Sequence, residues 1–246
     1  LQRLRKSEED SLKIKAVFDK LKELKYIVKL TELPNDTQEK IKAQTINYFI
    51  PWDYVSKPTS ITTEKRQVYD ASAKTQSGNS LNDILSKGCP KMEFDSVLLN
   101  FVSNKFALCG DIMKLYQSVT LHEDHYHLQL ILWNETMDPD EEPTEYVITR
   151  LTFGLKSSSQ QLEHCVDLLA EENKHKGDLY RILKYQRYVD DILGSYDTME
   201  KVNNLKTDLD DTLENYGMKI KGYACSYEKP PDTISDGISI TTGGYV

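Results

Sequence analysis

The chain of 246 residues is long enough for one or two globular units. Apolar residues make up 39% and charged residues 28%, which excludes collagen-like, low-complexity and wholly disordered chains. The net charge is −8 and is unevenly distributed, because residues 1–66 hold 14 basic against 10 acidic side chains and residues 67–246 hold 17 against 29. Since an acidic surface repels a phosphate backbone, we expect any nucleic acid to be bound mainly by the N-terminal part.

The sequence offers no sign of a membrane segment or of cysteine-based stabilisation. No stretch approaches the ~20 apolar residues that a bilayer span requires, and residues 1–10 lack the apolar centre of an export signal. We therefore expect no membrane. Four cysteines lie far apart without a Cys-x-x-Cys pair, which favours a reducing compartment over a zinc site or a disulfide framework.

The first hundred residues alternate between helical and extended patterns. Residues 8–29 carry apolar side chains at helical spacing between lysines and acids, which predicts one amphipathic helix that ends before Pro34. Residues 50–80 are rich in Pro, Ser, Thr and Lys and predict short strands and loops. Residues 92–102 return to helical spacing.

The rest of the chain interleaves strands with helices. Strands are predicted over 106–111, 126–133, 146–152, 185–189, 192–196 and 218–223, and helices over 160–173, 178–183 and 199–213. The last helix has the clearest ends, with Thr198 as its N-cap and Gly217 at its C-terminus. This order is compatible with an α+β fold, a βαββαβ sandwich whose sheet is covered by helices on one face.

Three carboxylates lie at the ends of predicted core strands. Asp111 ends a buried strand, whereas Asp190 and Asp191 separate two apolar segments by the length of a tight hairpin turn. If these strands are neighbours, the acids lie at the strand spacing of ~5 Å. Carboxylates held so close raise one another's pKa or bind a hard cation such as Mg²⁺ or Mn²⁺. Spacing alone does not exclude the alternative that Asp190-Asp191 is an ordinary solvent-exposed turn. We expect the second Asp-Asp pair, Asp210-Asp211 in the last helix, to be simply solvent-exposed.

Five segments in order resemble the reverse transcriptases of Pao (BEL) type LTR retrotransposons. They are residues 68–75, 80–83, 106–116, 152–158 and 187–193, of which the last resembles the Tyr-x-Asp-Asp box. The resemblance covers residues 45–226. It implies reverse-transcriptase fingers over 1–104 and 119–150, a ferredoxin-like palm over 105–118 and 151–228, an unstructured tail over 229–246, and no thumb.

The resemblance implies an RNA-directed DNA polymerase that transfers dNTPs to a primer 3′-hydroxyl on an RNA or DNA template with two Mg²⁺ or Mn²⁺ ions. Asp111 and Asp190 would hold the ions, with Asp191 as a supporting ligand. It also implies a place in a larger polyprotein with protease, RNase H and integrase, acting in a cytoplasmic particle or in the nucleus.

The same resemblance implies the residues that bind the nucleotide. Lys65 and Arg66 match the position whose cations meet the triphosphate. Tyr116 matches the aromatic side chain beneath the sugar, although an ordinary core aromatic is the alternative. The segment that shapes the nucleotide pocket contributes Phe153, Gly154 and Lys156. Lys219 or Lys221 would protonate the departing pyrophosphate, unless they are simply solvated.

Three residues depart from the family pattern. Ser159 stands where a proline is expected, and Leu130 and Asn134 stand where the family usually carries arginine. Two other functions therefore stay open. One is a decayed or domesticated copy that folds, and binds or serves a structural role, but does not polymerise. The other is a different palm-type phosphotransferase such as a nucleotidyl cyclase, which would not explain residues 65–75.

Overall fold

The computed structural model describes residues 8–56, 65–88, 94–136, 138 and 140–226. They form two compact units, the first drawn from residues 1–87 and 119–158 and the second from residues 88–118 and 159–246. The predicted fingers and palm divide the chain differently, at residues 104 and 150. The predicted tail over 229–246 lies outside the described residues. Within the described part of the chain, no helix combines the length and apolar character needed to cross a bilayer.

Helices and strands alternate along most of the chain. The helices are α1 (Glu8–Glu23), α2 (Asn35–Lys42), α3 (Leu81–Ile84), α4 (Phe94–Phe101), α5 (Leu115–Ser118), α6 (Ser158–Glu172), α7 (Gly177–Tyr185) and α8 (Met199–Asn215). The strands are β1 (Ile27–Lys29), β2 (Trp52–Ser56), β3 (Lys65–Tyr69), β4 (Phe106–Ile112), β5 (Leu130–Trp133), β6 (Thr144–Ile148), β7 (Arg187–Tyr188), β8 (Asp191–Tyr196) and β9 (Ile220–Cys225).

The first unit contains a three-stranded antiparallel sheet in the order β1-β6-β5 and a separate β2-β3 ribbon. Helix α1 packs on the sheet through Phe18, whose ring stacks on Trp133 with 3.9 Å between centroids. The helix predicted over 8–29 is too long. Lys25 adopts a φ of +55°, which ends the helix, and Ile27 pairs with Ile148 of β6. Pairing with a distant strand therefore overrides the local helical pattern.

Two further details of the first unit differ from the sequence prediction. The strand predicted over 126–133 begins later, because residues Glu123–Leu128 form a 3-10 helix and only Leu130–Trp133 pair with β6. Helix α2 was not predicted, since its residues carry few apolar side chains and only Thr37 and Ile41 are buried. Both segments are too short for periodicity to identify them.

The second unit is built on an antiparallel sheet in the order β7-β8-β4-β9. Along the chain the four strands follow one another as β4, β7, β8 and β9, with helices after β4 and after β8. This is the βαββαβ order, and the predicted ferredoxin-like palm is confirmed. Helix α7 covers one face, where Ile182 lies over Gly194. Helix α4 packs in addition on the other face, where Val97 contacts Leu193 and Ala224.

Helix α8 shows why the sequence predicts this part well. Its side chains at steps of three and four are buried, namely Val202, Leu205, Leu209 and Leu213. Each such burial contributes ~1.5–3 kcal/mol. The Thr198 hydroxyl accepts a hydrogen bond from the Lys201 N–H at 3.3 Å, and Gly217 takes a φ of +69° after the helix. Both predicted ends of the helix are therefore confirmed.

Candidate active site

A two-residue turn connects β7 to β8 in the second unit. Because Arg187 pairs with Ile192 and Tyr188 with Asp191, the turn consists of Val189 and Asp190. The prediction that Asp190 and Asp191 form the turn is therefore wrong by one position, and Asp191 is the first residue of β8. Val189 has a φ of +56°, a costly conformation for a β-branched residue. Backbone strain of this kind, worth ~1–3 kcal/mol, is concentrated at functional sites.

The sheet brings the three predicted acids together. Asp111 on β4 lies directly opposite Asp191 on β8, and the Ile112 N–H donates to the Asp190 carbonyl at 2.9 Å. Burial raises the pKa of Asp111, and the charge of Asp190 adds to this effect. Burial followed by the charges of Asp190 and Asp111 raises the pKa of Asp191 to about 6. The three carboxylates therefore repel one another at one end of the sheet.

One cation moderates this repulsion. Lys221 on β9 lowers the pKa of Asp111 by its charge, although burial and Asp190 outweigh it. The resemblance had left open whether Lys219 or Lys221 lies at this site, and the pairing of β9 with β4 brings the charge of Lys221 to bear on Asp111. Lys219 is exposed, and its carbonyl accepts a hydrogen bond from the Met113 N–H at 2.8 Å.

The chemistry of the three acids fits a hard divalent cation. Carboxylate oxygens are the ligands that Mg²⁺ and Mn²⁺ prefer, and a bound cation would relieve the repulsion that raises the pKa of Asp111 and Asp191. Among the residues that the structure describes, no group of three or more His, Cys, Asp or Glu side chains is already gathered in metal-binding geometry. Asp190 is exposed on the turn, so its side chain can turn toward the other two without moving the core.

Tyr116 lies in α5, shortly after Asp111 in the second unit. Its side chain is half-buried, and its hydroxyl lies 3.1 Å from the Ser159 hydroxyl in the first turn of α6. Ser159 replaces the expected proline and thus supplies a hydrogen-bond partner that a proline side chain lacks. The hydroxyl of Tyr116 is therefore tied to the start of α6.

The two basic residues predicted to meet a triphosphate lie on opposite faces of β3 in the first unit. The Lys65 amine is buried, with Asp10 at 2.6 Å and the Ser56 hydroxyl at 2.7 Å. Arg66, the next residue, is exposed. Since successive side chains of a strand point to opposite faces, the two cations do not act together. Lys65 anchors α1 to β3, and Arg66 is the one that faces solvent.

The predicted pocket segment lies against the end of β3. The Phe153 ring is half-buried, 5.6 Å from that of Tyr69. Gly154 has a φ of +90°, and a Cβ atom there would lie 2.4 Å from the Tyr69 carbonyl oxygen. Only glycine allows this close approach. The Lys156 side chain is exposed.

The two positions expected to carry arginine are structural in this chain. Leu130 is buried in a small core with Leu30, Ile41 and Val147. Asn134 is also buried, and its side-chain amide donates to backbone carbonyls of the acidic loop that follows β5. An arginine at either place would have to bury its charge.

Two residues with marked interactions received no role from the sequence. Arg187 is 1% exposed and forms an ion pair with Asp167 beneath the turn that carries Asp190. The side chain of Asn82 forms three hydrogen bonds to two other segments of the first unit, one at Ser72 and two within residues 154–156. The only feature of the sequence that could have pointed to Arg187 is its charge within an otherwise apolar stretch. No local pattern indicates the partners of Asn82.

Comparison with known proteins agrees with this architecture. The family model described as reverse transcriptase (RNA-dependent DNA polymerase) matches residues 55–228. Comparison with curated proteins gives no match.

Solved structures of foamy viral enzymes share the fold. The foamy viral protease-reverse transcriptase in complex with an RNA/DNA hybrid matches with a TM-score of 0.63 and 19% identity, over 89% of this chain and 24% of that chain. The same enzyme in complex with dsDNA matches with a TM-score of 0.59 and 20% identity, over 85% of this chain and 36% of that one. Native prototype foamy virus protease-reverse transcriptase matches with a TM-score of 0.60 and 20% identity, over 87% of this chain and 24% of that chain. The chain thus spans from 24% to 36% of the length of these relatives.

Proposed function

This chain belongs to the reverse transcriptase (RNA-dependent DNA polymerase) family, and on that premise we propose that it forms the fingers and palm of an RNA-directed DNA polymerase. The observation that carries the proposal is the pairing of Asp111 with Asp191 across β4 and β8, with Asp190 on the adjoining turn. The substrates are dNTPs and an RNA or DNA template with its primer. The RNA/DNA hybrid bound by the foamy viral relative supports this choice.

Asp111, Asp190 and Asp191 are the residues that would hold Mg²⁺ or Mn²⁺. When bound, a pair of such ions activates the primer 3′-hydroxyl and stabilises the departing pyrophosphate. The protein contributes a rigid mount, because Asp111 and Asp191 lie within paired strands and the Asp190 carbonyl is bonded to the Ile112 N–H. The raised pKa of Asp191 reflects a site whose charge is not balanced by protein groups alone.

The remaining assignments concern the incoming nucleotide. Arg66 binds the triphosphate, since a guanidinium matches phosphate oxygens in pairs and Lys65 is already engaged with Asp10. Tyr116 stacks beneath the sugar. Phe153, Gly154 and Lys156 shape the base pocket, where the missing Gly154 side chain lets the backbone approach closely.

We also propose a lineage and a cellular setting for the enzyme. The five segments in their order support a Pao-type LTR retrotransposon, with the YVDD sequence as its Tyr-x-Asp-Asp box. The partners would be protease, RNase H and integrase of the same polyprotein, and the place of action a cytoplasmic particle or the nucleus.

Primer extension on a homopolymer RNA template tests the proposal, with Mg²⁺ and Mn²⁺ in parallel reactions. Asp190→Asn should abolish dNTP incorporation, because it removes one of the charges that hold the ions. Asp211→Asn is the matched control, since it makes the same change in the other Asp-Asp pair, on the exposed face of α8, and should leave incorporation unchanged. Full activity of Asp190→Asn would refute the role of that residue.

The second candidate is a decayed copy that folds and binds but does not polymerise. Ser159 in place of proline and the absence of a gathered metal cluster among the described residues favour it. Calorimetric titration with Mn²⁺ separates the two functions. If the chain is a polymerase, the unaltered protein binds Mn²⁺ and Asp111→Ala does not. If it is a decayed copy, neither protein binds Mn²⁺, and no primer is extended with Mg²⁺ or with Mn²⁺.

A further inference from the structure

The side chain of Asn82 connects three segments of the first unit. Its amide nitrogen donates to the Gly154 carbonyl at 2.9 Å and to the Ser72 hydroxyl oxygen at 2.8 Å. Its amide oxygen accepts from the backbone N–H of Lys156 at 2.7 Å. Both amide hydrogens and the oxygen are thus engaged, each at the distance of a well-formed hydrogen bond.

The surrounding residues fix Asn82 in place. The Asp83 carboxylate accepts from the Ser80 N–H at 2.7 Å and from the Ser80 hydroxyl at 2.9 Å, which secures the start of α3. Leu81 is buried in the core of the unit. The backbone N–H of Asn82 donates to the Ala71 carbonyl at 2.9 Å. The amide therefore projects from a rigid base.

The segment over 153–156 needs an outside partner. Gly154 has no side chain and a φ of +90°, so the backbone turns sharply where it passes the Tyr69 carbonyl. Such a turn leaves the Gly154 carbonyl and the Lys156 N–H without regular secondary-structure partners, and unpaired backbone groups are costly. A single amide that bonds both groups sets the spacing between residues 154 and 156.

We infer that Asn82 is a positioning residue that holds the 153–156 segment in the conformation used for nucleotide binding. The consequence for nucleotide binding rests on the proposed function, whereas the effect on the segment does not. Two variants separate the bonds. Asn82→Ala removes all three, and Asn82→Asp keeps an acceptor for the Lys156 N–H while turning an oxygen toward the Gly154 carbonyl.

Amide hydrogen exchange of the present chain tests the position of the segment without any activity. In Asn82→Ala the Lys156 amide should exchange roughly tenfold faster, as expected when one hydrogen bond is lost. Asn82→Asp should retain most of the protection at Lys156. Asn79→Asp is the control, because the Asn79 backbone carbonyl, rather than its side chain, accepts the bonds from Thr75. Equal exchange at Lys156 in Asn82→Ala and the unaltered protein would overturn the inference.

Steady-state primer extension tests the consequence. Asn82→Ala and Asn82→Asp should raise the KM for dNTP several-fold with little change in kcat, since both lose the bond to the Gly154 carbonyl. A purely structural role would lower the active fraction, and with it the apparent kcat, at an unchanged KM, and that result would overturn the inference. If the unaltered chain does not extend a primer, the proposed function fails, and the exchange measurement still decides the role of Asn82.

Discussion

Breaking the buried ion pair between Arg187 and Asp167 beneath the β7-β8 turn should destabilise the second unit. The loss should depend on which of the two partners is replaced. Arg187 is 1% exposed, donates from Nε to the Leu183 carbonyl at 2.8 Å and from Nη2 to the Glu163 carbonyl at 3.2 Å, and lies 3.5 Å from Asp167. Burial lowers the pKa of Arg187, which shows that the charge is held at a cost. Asp167 also contacts Lys184 at 3.4 Å.

The two single replacements leave different groups uncompensated. Asp167→Leu leaves the Arg187 charge buried without its ion-pair partner, which costs ~3–5 kcal/mol. Arg187→Met preserves much of the side-chain volume and leaves Asp167 paired with Lys184, so the loss is mainly that of two hydrogen bonds to carbonyls, ~2–3 kcal/mol. The double variant should cost less than the sum of the two by ~1–3 kcal/mol, because neither charge remains to be compensated.

Urea unfolding followed by far-ultraviolet circular dichroism measures these differences. Tryptophan fluorescence is unsuitable, because Trp52 and Trp133 both lie in the first unit. Arg181→Met, an exposed position on α7, is the control and should change the unfolding free energy by less than ~0.5 kcal/mol. If Arg187→Met costs as much as Asp167→Leu, or if the two costs are additive, the assignment of a buried charge pair is wrong.

Three further predictions concern the acids and the pocket segment. Because burial and like charges raise the pKa of Asp191 to about 6 from 3.8, Asp191→Asn should stabilise the protein at pH 7 in EDTA. The gain, ~1–2 kcal/mol after allowance for its exposure, should fade as the pH falls from 6 to 3.8, and an unchanged melting temperature would contradict it. Gly154→Ala should lower stability by ~1–3 kcal/mol in urea unfolding, since its Cβ meets the last carbonyl of β3, whereas Gly177→Ala, which meets no atom within 4 Å, should not. The hydrogen bond from Tyr146 lowers the pKa of Glu135 to about 2 from 4.5, so Glu135→Gln should destabilise at pH 7 by ~1 kcal/mol. That difference should disappear in thermal melts as the pH falls from 4.5 to 2, and a constant difference would refute it.

The sequence predicts the second unit better than the first. Helix α8 and the succession of strands and helices along the palm follow from apolar spacing, caps and breaks, all of which act within a few residues. The family follows from short motifs in a fixed order, and residues 55–228 match its model. Asp111, Asp190 and Asp191 were recognised because acids at the ends of apolar runs stand out locally.

The sequence predictions are wrong where pairing with a distant segment determines the local structure. Ile27 extends the apolar pattern of α1 but becomes part of β1, because β6 offers it a pairing partner 121 residues away. The turn of the hairpin lies at Val189 and Asp190, since the register with β4 draws Asp191 into the strand.

The sequence by itself determined the family, the order of elements in the palm and the identity of the acids, because those properties are recorded in local spacing. Only the tertiary structure decided that Asp191 lies opposite Asp111, that Lys65 forms an ion pair with Asp10, and that the Asn82 side chain bonds to residues 154 and 156. Each of these depends on the register and side-chain direction of segments far apart in the chain. A hydrogen bond or an ion pair is set to within a few tenths of an ångström by such packing, and no periodicity encodes that distance.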